Sequence, residues 1–360
     1  MLTADLQFEL PEDLIATRAA EPRDAARLMV IDRASGEIRH QRVRDLLDLG
    51  VFRAGDLLVL NNTRVLPANF RGTRTGTGGA LQGLFLNSEE DGHWTVMLEA
   101  RGRLRPGEAW TIDDADGEPA LSLKLVEKID AGNWRVLPDR TVDPAELLGR
   151  VGSMPLPPYI RKARKQAGMA EVDEGDRDRY NTVYADRAGS AAAPTAGLHL
   201  TPLLLSSLEA AGVRVARITL HVGLGTFAPV RTERLADHTL HSEWIEVTPE
   251  AIGLLETTRA SGGRVLAVGT TSVRTLESLP DPLPEEGFRG TTDLFIYPGR
   301  GFRFRWTDRL MTNFHLPGST LLALVAALPG VGTERLLDWY GQAIDERYRF
   351  YSYGDAMLIL

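Results

Sequence analysis

Residues 201–222 read TPLLLSSLEAAGVRVARITLHV, and this stretch decides the fold class. Thr201 and Pro202 form an N-cap and first-turn pair, so a helix starts there. It runs to Ala211, and Gly212 stops it. Residues 213–222 then alternate and are β-branched, which predicts a strand. The same grammar repeats downstream. Thr248-Pro249 opens a second helix that Gly262-Gly263 ends, and residues 264–269 read as a buried strand. Thr271 caps a helix over 272–279, and residues 294–297 predict another strand. Ser319 caps 320–328, Thr333 caps 334–347, and 356–360 closes as a strand. Upstream, strands are expected at 27–31 and 56–61, with a short helix after Pro11. Alternating strand and helix implies an open, mostly parallel α/β sheet with flanking helices. In such a sheet ligands sit beyond the carboxyl ends of the strands.

The texture changes between residues 66 and 150. Gly72, Gly76, Gly78 and Gly79 punctuate its start, and short alternating runs follow at 94–99, 109–112, 121–126 and 134–137. Short strands separated by turn residues predict a small β-barrel or sandwich. Mixed α/β patterns lie on both sides of it. The expected organisation is therefore a discontinuous large α/β domain, 1–66 and 151–360, with an inserted β-barrel domain at 67–150. The string MPLPPYI (154–160) fixes an extended return path. Residues 161–179 are charged, poor in apolar residues, and expected to form an exposed loop.

Composition excludes several classes. The 360 residues include no cysteine, so disulfides, thiolate metal sites and thiol nucleophiles are ruled out. The longest uncharged apolar run, 321–328, is far short of the roughly 20 residues a membrane helix needs. The first ten residues carry Asp5 and Glu9 and do not resemble a secretory leader. A cytoplasmic protein without a membrane partner is expected. The net charge of −8 argues, taken alone, against nucleic acid. Locally the pattern differs. Arg161, Lys162, Arg164 and Lys165 fall within five residues, and Arg300, Arg303, Arg305 and Arg309 interleave with Phe302, Phe304 and Trp306. Such a footprint can hold a structured RNA, although solvated faces have the same composition.

Five polar strings lie where an α/β site is expected. AAAPTAGLHL (191–200) makes a tight turn around Thr195 and places His199 before a helix. A turn histidine suits acid–base work because its ordinary pKa is near neutrality, but it can equally cap or pack. TLHVGLGTFAPV (219–230) delivers His221 from a strand, with Gly223, Gly225 and Thr226 beyond it. Gly223 and Gly225 let backbone approach a ligand, but the string is no dinucleotide fingerprint. DHTLHSEW (237–244) carries His238, His241 and Glu243 in a spacing that forms no recognised ligand pair, so no metal is expected. VGTTSVRTLES (268–278) is strand, turn and helix. Thr270, Thr271, Ser272 and Arg274 sit at a helix N-terminus suited to a carboxylate or phosphate. TNFHLPGSTL (312–321) and YRFYSYGDAM (348–357) add His315, a cluster of aromatic residues and Asp355. From these residues alone the reading is an α/β enzyme with a His-rich and Gly-rich site and a possible contact with RNA.

Taken together the strings say more. NNTRV (61–65), MPLPPYI, YNTVYA (180–185), APTAGLHL, TLHVGLGTF, VGTTSVRTLES, TDLFIYPG (292–299), TNFHLPGSTL and YSYGDAM occur in this order across nearly the whole chain. The sequence resembles the S-adenosylmethionine:tRNA ribosyltransferase-isomerase family of queuosine biosynthesis. The resemblance implies a large α/β domain with a small inserted β-barrel. It implies a tRNA substrate carrying 7-aminomethyl-7-deazaguanine at the wobble position. S-adenosylmethionine would be a consumed cosubstrate, with no separate cofactor and no metal. Its ribosyl group would be transferred and isomerised to give epoxyqueuosine, with adenine and methionine leaving.

That chemistry needs a base for a proton beside the sulfonium, proton donors and oxyanion partners. The resemblance points to His199, His221, His241 and His315 as catalytic candidates, with His199 or His221 as the base. It points to Thr195, Gly223, Gly225, Thr226, Thr270, Thr271, Ser272, Arg274, Tyr297 and Asp355 as substrate-binding candidates. Arg274 or the helix start at Ser272 would hold the methionine carboxylate. Arg161, Lys162, Arg164 and Lys165 are the tRNA-binding candidates, and a monomer is expected. One departure is the string GGALQG (78–83), with Ala80 and Gln82 where the family often has Lys and Glu. Two other readings predict different products: an RNA methyltransferase would leave S-adenosylhomocysteine, and a tRNA-binding scaffold would show no turnover.

Overall fold

The computed structural model describes residues 1–114, 116–130, 132–140, 143–223 and 230–360. The first strands are β1 (Arg27–Ile31), β2 (Ile38–Arg42), β3 (Leu57–Asn61) and β4 (Thr63–Val65). The next six are β5 (Asn69–Arg74), β6 (Ala80–Ser88), β7 (Trp94–Ala100), β8 (Ala109–Asp113), β9 (Pro119–Lys128) and β10 (Asn133–Pro138). Helices α1 (Pro144–Val151), α2 (Pro158–Gln166) and α3 (Asp176–Arg179) lead to β11 (Arg187–Ser190). Then come α4 (Pro202–Ala210), β12 (Arg214–Leu220), β13 (Glu243–Val247), α5 (Pro249–Ala260), β14 (Val265–Val268) and α6 (Thr270–Glu277). The chain closes with β15 (Phe288–Thr292), β16 (Arg309–Asn313), α7 (Thr320–Ala326), α8 (Thr333–Asp345) and β17 (Ala356–Ile359).

Nine strands form one sheet in the order β15-β13-β12-β3-β14-β16-β17-β1-β2. Its centre is the expected parallel ladder, because β12, β3, β14 and β16 all run the same way. The flanks are mixed: β13 and β15 pair antiparallel, as do β17 against β16 and β2 against β1, while β17 is parallel to β1. Among the described residues no α-helix separates β12 from β13, so no crossover restores the direction and the chain returns antiparallel.

β3 shows why the centre is strand. All five of its residues are buried. Leu57 and Val59 pack with α5, α6, α7 and α8 on one face, and Leu58 and Leu60 pack with α4 on the other. A strand buried on both faces reads as a continuous apolar run.

Strands β5 to β10 close as a six-stranded antiparallel barrel in the order β10-β7-β6-β5-β8-β9. The barrel core is built on Trp94, Trp110, Trp134, Phe70 and Phe85. Ala80 and Gln82 both point outward from β6.

Several expectations need correction. Thr271 and Thr333 do not cap, because α6 and α8 already include them and start after Gly269 and Gly332 without a side-chain cap. Residues 161–179 are not a bare loop, because α2 and α3 occupy much of them. The strand expected at 294–297 lies earlier, at β15. Nε of Arg274 donates to the Leu294 carbonyl at 3.0 Å, so a side chain takes the acceptor that a ladder would have used. The segment after Pro11 makes only a short 3-10 turn, Glu12–Leu14. No helix among the described residues is long and apolar enough to cross a membrane.

Candidate active site

Beyond the carboxyl ends of β14 and β16 lies a cleft of about 640 Å³, open mouth included. Five distant strings meet there. Pro194, Thr195 and Ala196 form one wall, and Gly269, Thr270 and Thr271 bring the start of α6. Thr312 to Leu316 form the floor after β16, and Tyr159 of α2 joins Tyr351 and Ser352 on the far side. The strand order reverses between β3 and β14, so the cleft lies beside the switch point, at the carboxyl ends of the parallel strands.

Hydrogen bonds lock the polar wall. Asn313, the last residue of β16, accepts from Thr195 Oγ1 at 3.1 Å through its side-chain oxygen. Its amide donates to the Tyr351 carbonyl at 3.1 Å and approaches His199 Nε2 at 3.2 Å. His199 Nε2 is thus the acceptor side of that ring. His315 sits in the cleft wall, with Nε2 2.9 Å from Thr312 Oγ1. Its backbone N–H donates to the Tyr340 hydroxyl at 2.8 Å. Thr271 Oγ1 accepts from Asn61 Nδ2 at 3.2 Å, which ties α6 to the end of β3. Tyr159 and Ser352 share a short hydroxyl–hydroxyl contact.

Burial sets the protonation states. It pushes His199 down to about 4, against an opposing pull from the Asp355 carboxylate. It pushes His315 down to about 3. Both imidazoles are therefore neutral at physiological pH. The Tyr159 hydroxyl is pushed up to about 12 by burial and stays protonated.

The expected site residues divide into groups. Thr195, Thr270, Thr271 and His315 line the cleft. His199 stands one residue behind its surface, at the back of Asn313. Ser272 points away and donates to the Val268 carbonyl at 2.8 Å. Arg274 is not available for a substrate carboxylate: it is buried, ion-paired with Glu243, and donates to the Leu294 and Thr292 carbonyls. Asp355 is likewise occupied, accepting from the backbone N–H groups of Arg27 and Arg349 and from the Arg349 guanidinium. Gly223 lies outside the cleft wall, and its N–H donates to Glu243 at 2.8 Å. Glu243 is thus committed to Arg274 and Gly223 rather than grouped with His238 and His241.

Tyr297 packs on Phe295 beneath Arg300, and His241 is exposed, so neither forms part of the cleft. His221 occupies a neighbouring surface, stacked on Trp244. Gly225 and Thr226 lie outside the described residues.

Of the basic quartet on α2, Lys162 and Lys165 are exposed and Arg161 is half-buried. Arg164 is fully buried in a two-pronged ion pair with Asp176, at 2.6 and 2.7 Å, and cannot reach a phosphate. Burial alone would raise the Asp176 carboxyl, but the Arg164 guanidinium and the Asp173 amide outweigh it and hold it below the carboxylate range. Asn313, Tyr159 and Ser352 were inside the quoted strings but not singled out. The sequence reading places no strand at 309–313, so nothing in it marks Asn313 as the amide at the exit of β16, where side chains meet ligands.

Comparison with known proteins agrees with this architecture. The family described as "Queuosine biosynthesis protein" matches residues 3–359. The chain is 47% identical to the S-adenosylmethionine:tRNA ribosyltransferase-isomerase of Symbiobacterium thermophilum, covering all of both proteins. It is 46% identical to the enzyme of the same name from Desulfitobacterium hafniense, again covering all of both. Among solved structures it is similar to the S-adenosylmethionine tRNA ribosyltransferase of Thermotoga maritima, at 33% identity and a TM-score of 0.54, covering 99% of this chain and 100% of that one. A match across nearly the whole length places this chain in the queuosine biosynthesis protein family.

Proposed function

We propose that this chain transfers the ribosyl group of S-adenosylmethionine to 7-aminomethyl-7-deazaguanine at the wobble position of tRNA. The group is isomerised on transfer, giving epoxyqueuosine, and adenine and methionine are released. S-adenosylmethionine is consumed as a cosubstrate, and the substrate RNA places the reaction in the cytoplasm. The observation that supports this best is a cleft that sets a neutral imidazole beside a helix N-terminus, in a chain that aligns end to end with relatives bearing that enzyme's name.

Each part of the cleft has a task in that chemistry. The start of α6 at Thr270 and Thr271 offers backbone N–H groups and the positive end of a helix dipole to the methionine carboxylate. This replaces Arg274 in that role. The sulfonium acidifies the adjacent C5′ protons. His315 lines the cleft in its neutral form, so we assign the base to it rather than to His199 or His221. The burial that keeps it neutral also makes it a weak base. The sulfonium-adjacent carbon must therefore supply the acidity. His199 acts through Asn313 and positions the wall. Tyr159, protonated and inside the cleft, is placed to donate a proton to departing adenine or to a developing alkoxide.

The test is incubation with S-adenosylmethionine and precursor-bearing tRNA, followed by mass analysis of nucleosides and small products. Free adenine and methionine with an epoxyqueuosine nucleoside are expected. S-adenosylhomocysteine without adenine would overturn the proposal in favour of methyl transfer.

A further inference from the structure

A second surface adjoins the cleft and takes no part in the chemistry above. On the outer face of β12, β13 and β15, His221 stacks on Trp244 with ring centroids 4.9 Å apart and planes 17° from parallel. The stack is built in place. The His221 backbone N–H donates to the Trp244 carbonyl at 3.0 Å, and His221 Nδ1 lies 2.8 Å from Thr63 Oγ1. Gly189 leaves the room it needs, because a Cβ there would stand 2.9 Å from His221 Nε2. Trp244 nevertheless remains 37% exposed, which is unusual for so large an apolar ring held this firmly.

Arginines frame the stack. Thr219 faces Glu246 across the ladder, and Glu246 faces Arg289, so all three share the face with Trp244. The buried Glu246 carboxylate holds Arg187 at 2.7 Å and Arg289 at 2.5 Å. Their side chains stay 50% and 74% exposed, so the outer part of each remains open to an anion. Arg217, exposed on the same face of β12, adds a third cation. Around the stack itself Arg187 and Arg289 are balanced by Glu246 and the exposed Asp186, and Arg217 supplies the surplus cation at its edge.

We infer that this face is a platform for a single-stranded nucleotide of the RNA substrate, with a base stacked on Trp244 and His221 and its backbone phosphates on Arg187, Arg217 and Arg289. Exposed sheet faces with aromatic residues and flanking cations are how proteins hold unpaired bases. Position supports the same occupant. Val222, next to His221, lines the cleft, and the chain from Arg187 on this face runs to Ala193 in the cleft wall. A nucleotide reacting in the cleft therefore leaves its chain neighbours at the platform. The inference rests on the tRNA reading given above.

The test uses the full chain and a fluorescently labelled anticodon stem-loop, with affinity measured by anisotropy across a salt series. Trp244→Ala is expected to weaken binding about tenfold or more, and Trp244→Phe to restore it to within about threefold of the unsubstituted chain. Arg289→Glu, which sets a carboxylate beside the buried Glu246 and is therefore checked for native circular dichroism and thermal unfolding first, is expected to weaken binding and to flatten the salt dependence by at least about one phosphate contact. In turnover, Trp244→Ala raises KM for RNA while KM for S-adenosylmethionine stays within about twofold. Unchanged RNA affinity in both Trp244→Ala and Arg289→Glu overturns the platform, and so does an equal rise in both KM values. If adenine release persists in the unsubstituted chain while these variants bind normally, the platform alone is wrong. If the unsubstituted chain neither binds the loop nor releases adenine, the functional reading falls with it.

Discussion

Asn313 Nδ2 lies 3.2 Å from His199 Nε2, joining the exit of β16 to a turn 114 residues earlier. The same amide group serves Thr195 Oγ1 and the Tyr351 carbonyl. Asn313→Ala would leave three polar groups without this partner, two of them buried and Thr195 half-buried, at a cost of about 1–3 kcal/mol for each that water cannot reach. A lower urea midpoint and a kcat reduced by about tenfold or more are expected. Asn313→Asp keeps the acceptor for Thr195 but sets a carboxylate beside His199. NMR titration should then show the His199 pKa moved upward.

His315 and His199 should separate in kinetics. His315 lines the cleft, whereas His199 reaches it through Asn313. A positioned base contributes about 10²- to 10⁴-fold. His315→Ala should therefore lower kcat for adenine release by at least about a hundredfold. His199→Ala should cost less, and more of that loss should appear in stability. The reverse order would move the base to His199.

The same two imidazoles predict how stability varies with pH. Their folded values, about 4 and about 3, lie below the ordinary imidazole value of about 6.5. Between those values the unfolded chain binds protons that the folded chain refuses. Stability is thus full above about pH 6.5 and falls as pH drops towards the folded values. Each unit traversed by each group costs at most about 1.4 kcal/mol. Thermal unfolding from pH 7 to pH 4 should show this decline, and a His199→Gln, His315→Gln double variant should flatten it. Asp176, whose carboxyl is held low, adds stability that is full above the ordinary carboxylate value and is lost only as pH falls below it, so its window opens where that of His199 closes.

Much of the fold was legible because its signals are local. Thr201, Thr248 and Ser319 cap the helices expected of them, each side chain accepting from a backbone N–H of the first turn. Barrel strands β7 to β10 fall where short alternating runs marked them, whereas β5 and β6 carry no such run in the sequence reading. The site was less legible because its logic is non-local. Thr195, Thr271 and His315 could be picked out from their strings, and they do line the cleft. Arg274, Asp355 and Arg164 have the chemistry of ligand-binding residues, yet each faces a partner inside the protein. Glu243 lies 31 residues from Arg274, and Asp176 lies 12 from Arg164. Sequence shows a charged group but not whether folding has already neutralised it.

Arg164 provides a sharp case. Its guanidinium and the Asp176 carboxylate are both fully buried. Removing one partner of such a pair strands the other charge, typically at about 3–5 kcal/mol. Arg164→Met should lower the denaturation midpoint strongly and leave the salt dependence of RNA binding unchanged. Lys162→Ala and Lys165→Ala, on the exposed side of the same helix, should do the opposite. They should spare stability, since the Lys162–Glu12 pair is exposed and worth little. Each should also lower the slope of RNA affinity against salt by up to about one.

Arg274 tests whether an arginine at a helix start serves the ligand or the fold. Its guanidinium is held by Glu243 and by the Leu294 and Thr292 carbonyls, so no part of it is directed at the cleft. Glu243 in turn accepts the Gly223 N–H at 2.8 Å, and the pair thereby anchors the end of β12 to α6. Arg274→Met should cost about 3–5 kcal/mol of stability, as expected for a broken buried pair. Glu243→Gln removes the stranded charge yet keeps an acceptor for Gly223. The Arg274→Met, Glu243→Gln double variant should therefore be more stable than Arg274→Met alone, and a double-mutant cycle should give a coupling of at least about 1 kcal/mol. In the double variant, KM for S-adenosylmethionine should stay near that of the unsubstituted enzyme. A KM raised a hundredfold with stability intact would return Arg274 to the methionine carboxylate and remove the start of α6 from that role.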